Sequence, residues 1–353
     1  MSILLYWHFS FMSSTTDNMR HKTFLLMILG LATFLLTGCG NRNSRYIPEV
    51  KSSELPKVNI HIKRYGQALF ELDTASLKTG LERIKPEFKL FLNADLNDNA
   101  NINQLKAFVT DTLNRYLYRH AMQIFPNLNH TEQQLSSAMA HYLHYFPHSR
   151  VPVFYSYISG GFYEAPVIVA DSVVLIGIDN YLGSSFEHYA RLGIPRYKMH
   201  WMVKDEITPD VMRALYESMP VTLYKPKNLL DMMVAAGKEL FFLDAMIPTV
   251  ADSLKIKYTK SQLAWVNKNE KNIWGFLISQ QLLFSADFMQ TKKLMQDGPF
   301  TKGFEEGAPA RIGEWVGWQI ISAYMQKHPE VSLKQLLKLK DAQMILNESG
   351  YKP

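Results

Sequence analysis

The chain reads as α+β, a single predominantly helical domain carrying a small antiparallel sheet. Two observations predict this. From Thr208 onward, apolar residues recur at helical spacing in one segment after another, with Pro, Gly or Asn at most of the breaks. Ahead of them, beyond Pro147, stand β-rich runs near 151–158, 165–170 and 173–178, the first two split by Gly160-Gly161. Helices, then a few adjacent strands, then helices again is the order of an α+β domain.

Taken in order, the first element is a signal. Arg20 and Lys22 precede a greasy run from Phe24 to Leu36, and the run exits through Leu36-Thr37-Gly38-Cys39. The run is about thirteen residues, short of the ~20 that a bilayer core demands. Leucine, two small residues and a cysteine resemble the bacterial lipobox, where the sulfur is acylated and the chain is cut just before it. Cys39 is the only cysteine among 353 residues. On this reading residues 1–38 are removed, residues 1–18 arise from an upstream start, and the folded part has neither disulfide nor thiol chemistry. Residues 39–57, with Pro48 and Pro56, are expected to be a lipid-anchored linker, and residues 58–353 a globular domain.

Within that domain His61–Tyr65 reads as a short extended piece and Ala75–Ile84 as amphipathic. Asn103–Phe125 repeats apolar residues at helical spacing and stops at Pro126. Thr131 and Gln134 have the spacing of a capping box for a helix running to Pro147. The later helices are expected at 208–219, 228–246, 259–284, 309–327 and 332–346.

Composition narrows the function. Apolar residues make up 47% and charged residues 20%, a globular balance. The formal charge is +6, of which Arg20 and Lys22 against Asp17 contribute +1, leaving +5 after residue 38. Arg42, Arg45, Lys51, Lys57, Lys63 and Arg64 gather after the anchor, either resting on anionic headgroups or forming a solvated tether. An exported chain with no dense basic stripe is not a nucleic-acid binder.

For chemistry, His141 and His144 stand three apart on one helix with His148 beyond, a spacing that would suit a metal. No carboxylate or third histidine lies close to them in that helix, so half-buried polar tips are the expectation, with no metal and no cofactor. HExxH, the GxSxG elbow, the Walker loop and GxGxxG after a strand are all missing. The densest unusual stretch runs from Pro309 to Ile321. Gly313 and Gly317, one turn apart, would let another backbone approach closely. Arg311, Glu314 and Trp318 are candidates for a partner-binding rim, being residue types enriched in binding hot spots.

Several stretches together resemble the gliding-motility lipoprotein family GldB of the Bacteroidetes. They are Tyr145-Phe146-Pro147 with Val151-Pro152, Ile176 to Gly183, and Gly237 to Asp244 with Pro248. Beyond these come Asp297-Gly298-Pro299-Phe300, Arg311 to Ile321, and Tyr351-Lys352-Pro353. The resemblance implies a lipoprotein of the cell envelope that supports gliding motility and its associated secretion machinery, with other envelope proteins as partners. It does not by itself imply gliding. Gly40-Asn41-Arg42-Asn43 lacks an acidic run resembling a surface-export signal, so a periplasm-facing anchor is expected, on either membrane.

A more distant likeness is to zincin-type peptidases. It would set metal ligands and base in 208–219 and just before Gly237, where this chain has Val211, Arg213 and Ala236. A non-catalytic binding protein on a degenerate peptidase scaffold is therefore expected, and an envelope metallopeptidase or other hydrolase with a non-standard site is the alternative.

Overall fold

Among the described residues four strands form one sheet, β1 (Ile62–Arg64), β2 (Val153–Tyr157), β3 (Val167–Ala170) and β4 (Val173–Gly177), in the order β1-β2-β4-β3. The computed structural model describes residues 45–220, 225–301, 303–304 and 307–353. The expected signal segment 1–38 and Cys39 lie outside the described residues. Alternation along β2 and β4 buries Phe154, Val174 and Ile176 against the helices.

The strands fall where the β-rich runs predict, but the sheet is mixed rather than antiparallel. β1 and β4 both run parallel to β2, and only the β3–β4 hairpin is antiparallel. The cause is the segment between Tyr157 and Val167, which crosses the end of β4 before turning back as β3. Asp179, fully buried just past β4, holds that crossing: its carboxylate accepts from the N–H groups of Ser159 (2.7 Å) and Gly161 (2.8 Å) and from the Ser159 hydroxyl (2.9 Å). Gly160 and Gly161 take φ of 74° and 80° there, a region that favours glycine.

The first helices are α1 (Tyr65–Phe70), α2 (Leu77–Ile84), α3 (Asn99–Thr110), α4 (Thr112–Ile124) and α5 (Asn129–Tyr145). The single helix expected over 103–125 is split at Asp111, whose extended ψ of 134° and side-chain acceptance from the Asn114 N–H start a second helix. The expected capping box at Thr131 is not formed. Helix α5 begins two residues earlier, leaving Thr131 buried inside its first turn.

Two one-turn helices, α6 (His188–Arg191) and α7 (Arg196–Met199), lead into the larger helical part. That part comprises α8 (Ile207–Glu217), α9 (Leu229–Met246), α10 (Asp252–Ile256), α11 (Lys260–Ser279), α12 (Phe288–Met295), α13 (Ile312–Lys327), α14 (Leu333–Lys338) and α15 (Ala342–Ser349). Capping boxes at Thr259–Gln262 and Ser332–Gln335 start α11 and α14. Helices α9 and α13 are buried on most of their surface and pack on each other at the centre of this half. A Cβ on Gly317 would run into the Met233 carbonyl, and one on Gly237 into the Gly317 carbonyl, so the spacing argument for close approach holds. Among the described residues no helix is long and apolar enough to cross a membrane.

The compact unit starts at Tyr46, whose ring stacks on Phe241 of α9 with centroids 6.2 Å apart. The expected linker 39–57 thus yields residues 46–57 to the folded body, because the half-buried Tyr46 and Val58 pack against the core.

Candidate functional site

Helix α8 carries Asp210, Arg213, Ala214 and Glu217 at positions i, i+3, i+4 and i+7, which puts all four on one face. Its other face sends Val211, Met212 and Leu215 into the core. The charged face forms one wall of a cleft of about 570 Å³, within the size range of ligand pockets. Ala236 and Glu239 of α9 stand beside it, Arg311 and Glu314 close it from the start of α13, and Tyr163, Tyr197 and Trp201 form an aromatic rim from the sheet side.

The charges are interlocked. The Arg213 guanidinium donates to the Glu239 carboxylate and, at 2.6 Å, to the Lys255 carbonyl. Lys257 lies 2.7 Å from Asp210, which also accepts from the Tyr181 hydroxyl at 3.1 Å. Arg311 bridges Glu314 (3.1 Å) and Asp297 (3.4 Å) and donates to the carbonyls of Ile256 (2.8 Å) and Lys257 (3.3 Å). Two of these cations have left-handed backbones, Lys257 at φ 56° and Arg311 at φ 58°. Such strain on residues with side chains persists only where surroundings over-determine it, and it clusters at functional sites.

Behind the cleft, immediately ahead of α8, Glu206 is fully buried, and among the described residues neither carboxyl oxygen has a hydrogen-bond partner. Burial pushes its pKa up to about 8, with Asp210 adding to the rise and Lys257, Arg213 and Arg311 opposing it. Glu217 and Glu314 are also raised, by burial first and then by the Glu239 charge, against the pull of nearby arginines. Burial works against the Arg213 charge, but Glu239, Asp210, Glu314 and Glu206 outweigh it and hold the guanidinium above its ordinary value.

Of the rim candidates, Arg311 and Glu314 do line the cleft. Trp318 does not. It is 1% exposed, and its indole N–H donates to Asp244 at 2.7 Å in a core network where Lys255, also fully buried, lies 2.9 Å from the same carboxylate. One turn beyond Glu314, Trp318 has rotated into the packing against α9. His141 is buried, with Nδ1 2.9 Å from the Ser137 carbonyl. His144 Nδ1 lies 3.4 Å from the Glu54 carbonyl, and His148 is exposed. Among the described residues no group of three or more His, Cys, Asp or Glu side chains is placed to hold a metal ion. The helical regions singled out by the peptidase likeness do meet at the cleft, through Arg213 and Ala236. Sequence reasoning passed over Glu206, Glu217, Glu239 and Lys257. The signal available was the 210–213–217 spacing of charges on a helix otherwise apolar.

A family model described as gliding motility protein GldB matches residues 43–353. No curated protein and no solved structure matches the chain, and the zincin likeness is without support.

Proposed function

The chain belongs to the gliding motility protein GldB family, and from that premise we propose that it is a non-catalytic, lipid-anchored binding protein whose charged cleft receives a segment of a partner in the envelope. Membership implies involvement in gliding motility and suggests a cell-envelope lipoprotein. Lipid on Cys39, a periplasm-facing body and binding to other motility or secretion proteins are our reading. A lipid there would tether a body that begins at Tyr46, seven residues on, within ~25 Å of the bilayer.

The observation that carries the binding role is the pair of strained, mutually bonded cations, Lys257 and Arg311, in one wall of a charged cleft. The fold tolerates unfavourable backbone at two adjoining places to hold these charges where they are. Each is committed to carboxylates, an arrangement that shapes and polarises a surface without freeing a nucleophile or base. One observation favours the hydrolase alternative. Glu206, held protonated up to about pH 8, has the state a general acid needs. Its oxygens are closed off from solvent, however, and would not reach a substrate in the cleft.

Complementation of a gliding strain lacking its own copy separates the two. Ala214→Trp fills the cleft and should give a folded, membrane-associated and non-motile protein. Glu206→Gln keeps shape and neutrality and should restore gliding. Gliding by the filled variant would rule out the cleft. A folded, immotile Glu206→Gln protein would favour the hydrolase.

A further inference from the structure

We propose that the cleft takes an ammonium or guanidinium group presented by a polypeptide, a lysine or arginine side chain of the partner segment. This rests on the binding reading above and adds the chemistry of the ligand. The first ground is local charge. Glu164, Asp210, Glu217, Glu239, Asp297 and Glu314 line the cleft, against Lys198, Arg213, Lys257 and Arg311, so carboxylates outnumber cations by two. The whole chain carries +6, so this acidic site lies on a basic protein and overall attraction does not explain it.

The second ground is the orphaned carboxyl of Glu206. Fully buried, with both oxygens unpartnered among the described residues, it interacts electrostatically with Asp210 and Arg213 of α8, Lys257 after α10, Arg311 before α13, and Tyr181 after β4, every one a cleft residue. Closed off from the cleft itself, it is a reserve of negative charge within electrostatic reach of the groups that line it. A cation arriving beside Asp210 and Glu239 favours its ionisation, so binding releases a proton and tightens as Glu206 ionises. The third ground is the aromatic rim. Lys198 already places its ammonium 5.3 Å from the centre of the Tyr163 ring, a demonstration that this edge accepts a cation face-on. Arg213, Lys257 and Arg311 already pair with cleft carboxylates, and their combined charge disfavours a bare divalent metal more than a singly charged head group.

The test uses the detergent-solubilised full chain and a fluorescein-labelled octalysine peptide, with octaglutamate and spermidine as comparisons, read by fluorescence anisotropy at low salt. Octalysine should bind and octaglutamate should not. Ala214→Trp should abolish binding, and Glu164→Gln with Glu217→Gln, both exposed and tolerable to the fold, should weaken it about fivefold to tenfold. Affinity of the wild type should rise between pH 7 and pH 9, and that rise should be lost in Glu206→Gln. Preference for octaglutamate, octalysine binding indifferent to Ala214→Trp, or identical pH profiles in wild type and Glu206→Gln would each overturn the proposal. Spermidine matching the peptide in affinity would overturn the assignment to a polypeptide. If Ala214→Trp abolishes gliding while octalysine does not bind, the cleft remains the partner site and only its ligand chemistry is wrong.

Discussion

Gly237 and Gly317 bring two backbones together: a Cβ on Gly237 would strike the Gly317 carbonyl, and one on Gly317 the Met233 carbonyl, one turn before Gly237. This contact sets the separation of α9 and α13, both buried along most of their length. No side chain rearrangement could relieve a substitution there, because the obstacles are the carbonyls of Met233 and Gly317. Gly317→Ala should therefore destabilise by an amount at or above the upper end of the ~1–3 kcal/mol typical of overpacking, and Gly317→Leu by more. Denaturant melts should show a lower midpoint with an unchanged slope. A wild-type midpoint for Gly317→Ala would mean that the helices are not in this register.

Next along α13, Trp318 donates to Asp244, and Lys255 pairs with the same carboxylate, all three of them buried. A buried ion pair stripped of one partner leaves an uncompensated charge. Lys255→Met should then cost ~3–5 kcal/mol, and Trp318→Phe, which removes a single donor, ~1–3 kcal/mol. The double variant Asp244→Leu, Lys255→Met should recover much of the first loss. If it is instead less stable than either single variant, the network contributes more than charge compensation.

Legibility in the sequence followed the range of the interactions. Periodicity located α8, α9, α11 and α13 to within a few residues, and the glycine spacing at 313 and 317 disclosed the close approach, since both signals are local. Periodicity missed the short helices α10 and α12 and ran α14 and α15 together as 332–346, because the break opens on an extended Leu339 with no Pro or Gly to mark it. Strand direction was hidden because it depends on Asp179 reaching back to Ser159 and Gly161, some twenty residues upstream. Trp318 read as a rim residue since spacing alone does not tell which side of an almost wholly apolar helix faces a neighbour. Half of the cleft was within reach, in the charges at 210, 213 and 217. Arg311 and Glu314 were singled out with the unusual stretch that holds them, but Lys257 was not, for it owes its position to a left-handed turn that neither glycine nor asparagine announces.

The anchor gives a prediction at the other end of the chain. With the body starting at Tyr46, the tether proposed after Cys39 is only six residues, 40–45, rather than the longer linker that its prolines suggested. Stable anchoring takes more than one acyl chain or an added signal, and multiple acylation at a lipobox-like cysteine would supply it. Cys39→Ser should leave a folded protein that is either uncleaved or released from the membrane fraction. Mature wild-type chain found soluble and without lipid would defeat the anchor.

The last prediction concerns stability against pH, where Glu206 supplies the sign. In the unfolded chain its carboxyl ionises near the ordinary glutamate value of 4.5, while in the folded protein it holds its proton to about 8. Below pH 4.5 both states are protonated and the group contributes no difference. Between 4.5 and 8 the folded state binds more protons than the unfolded one, so stability falls as pH rises, and above 8 the decline ends. At pH 7 the deficit should be on the order of 3 kcal/mol, the opposition of Lys257, Arg213 and Arg311 being already contained in the value of about 8. Glu206→Gln removes the titration while keeping the shape. It should be more stable than the wild type at pH 7 to 8, indistinguishable from it near pH 4.5, and flatter across the interval. Melting both proteins from pH 4.5 to 8.5 measures this directly. Parallel curves would mean that Glu206 has the same proton affinity folded and unfolded, and that a partner for its carboxylate is present in the native protein after all.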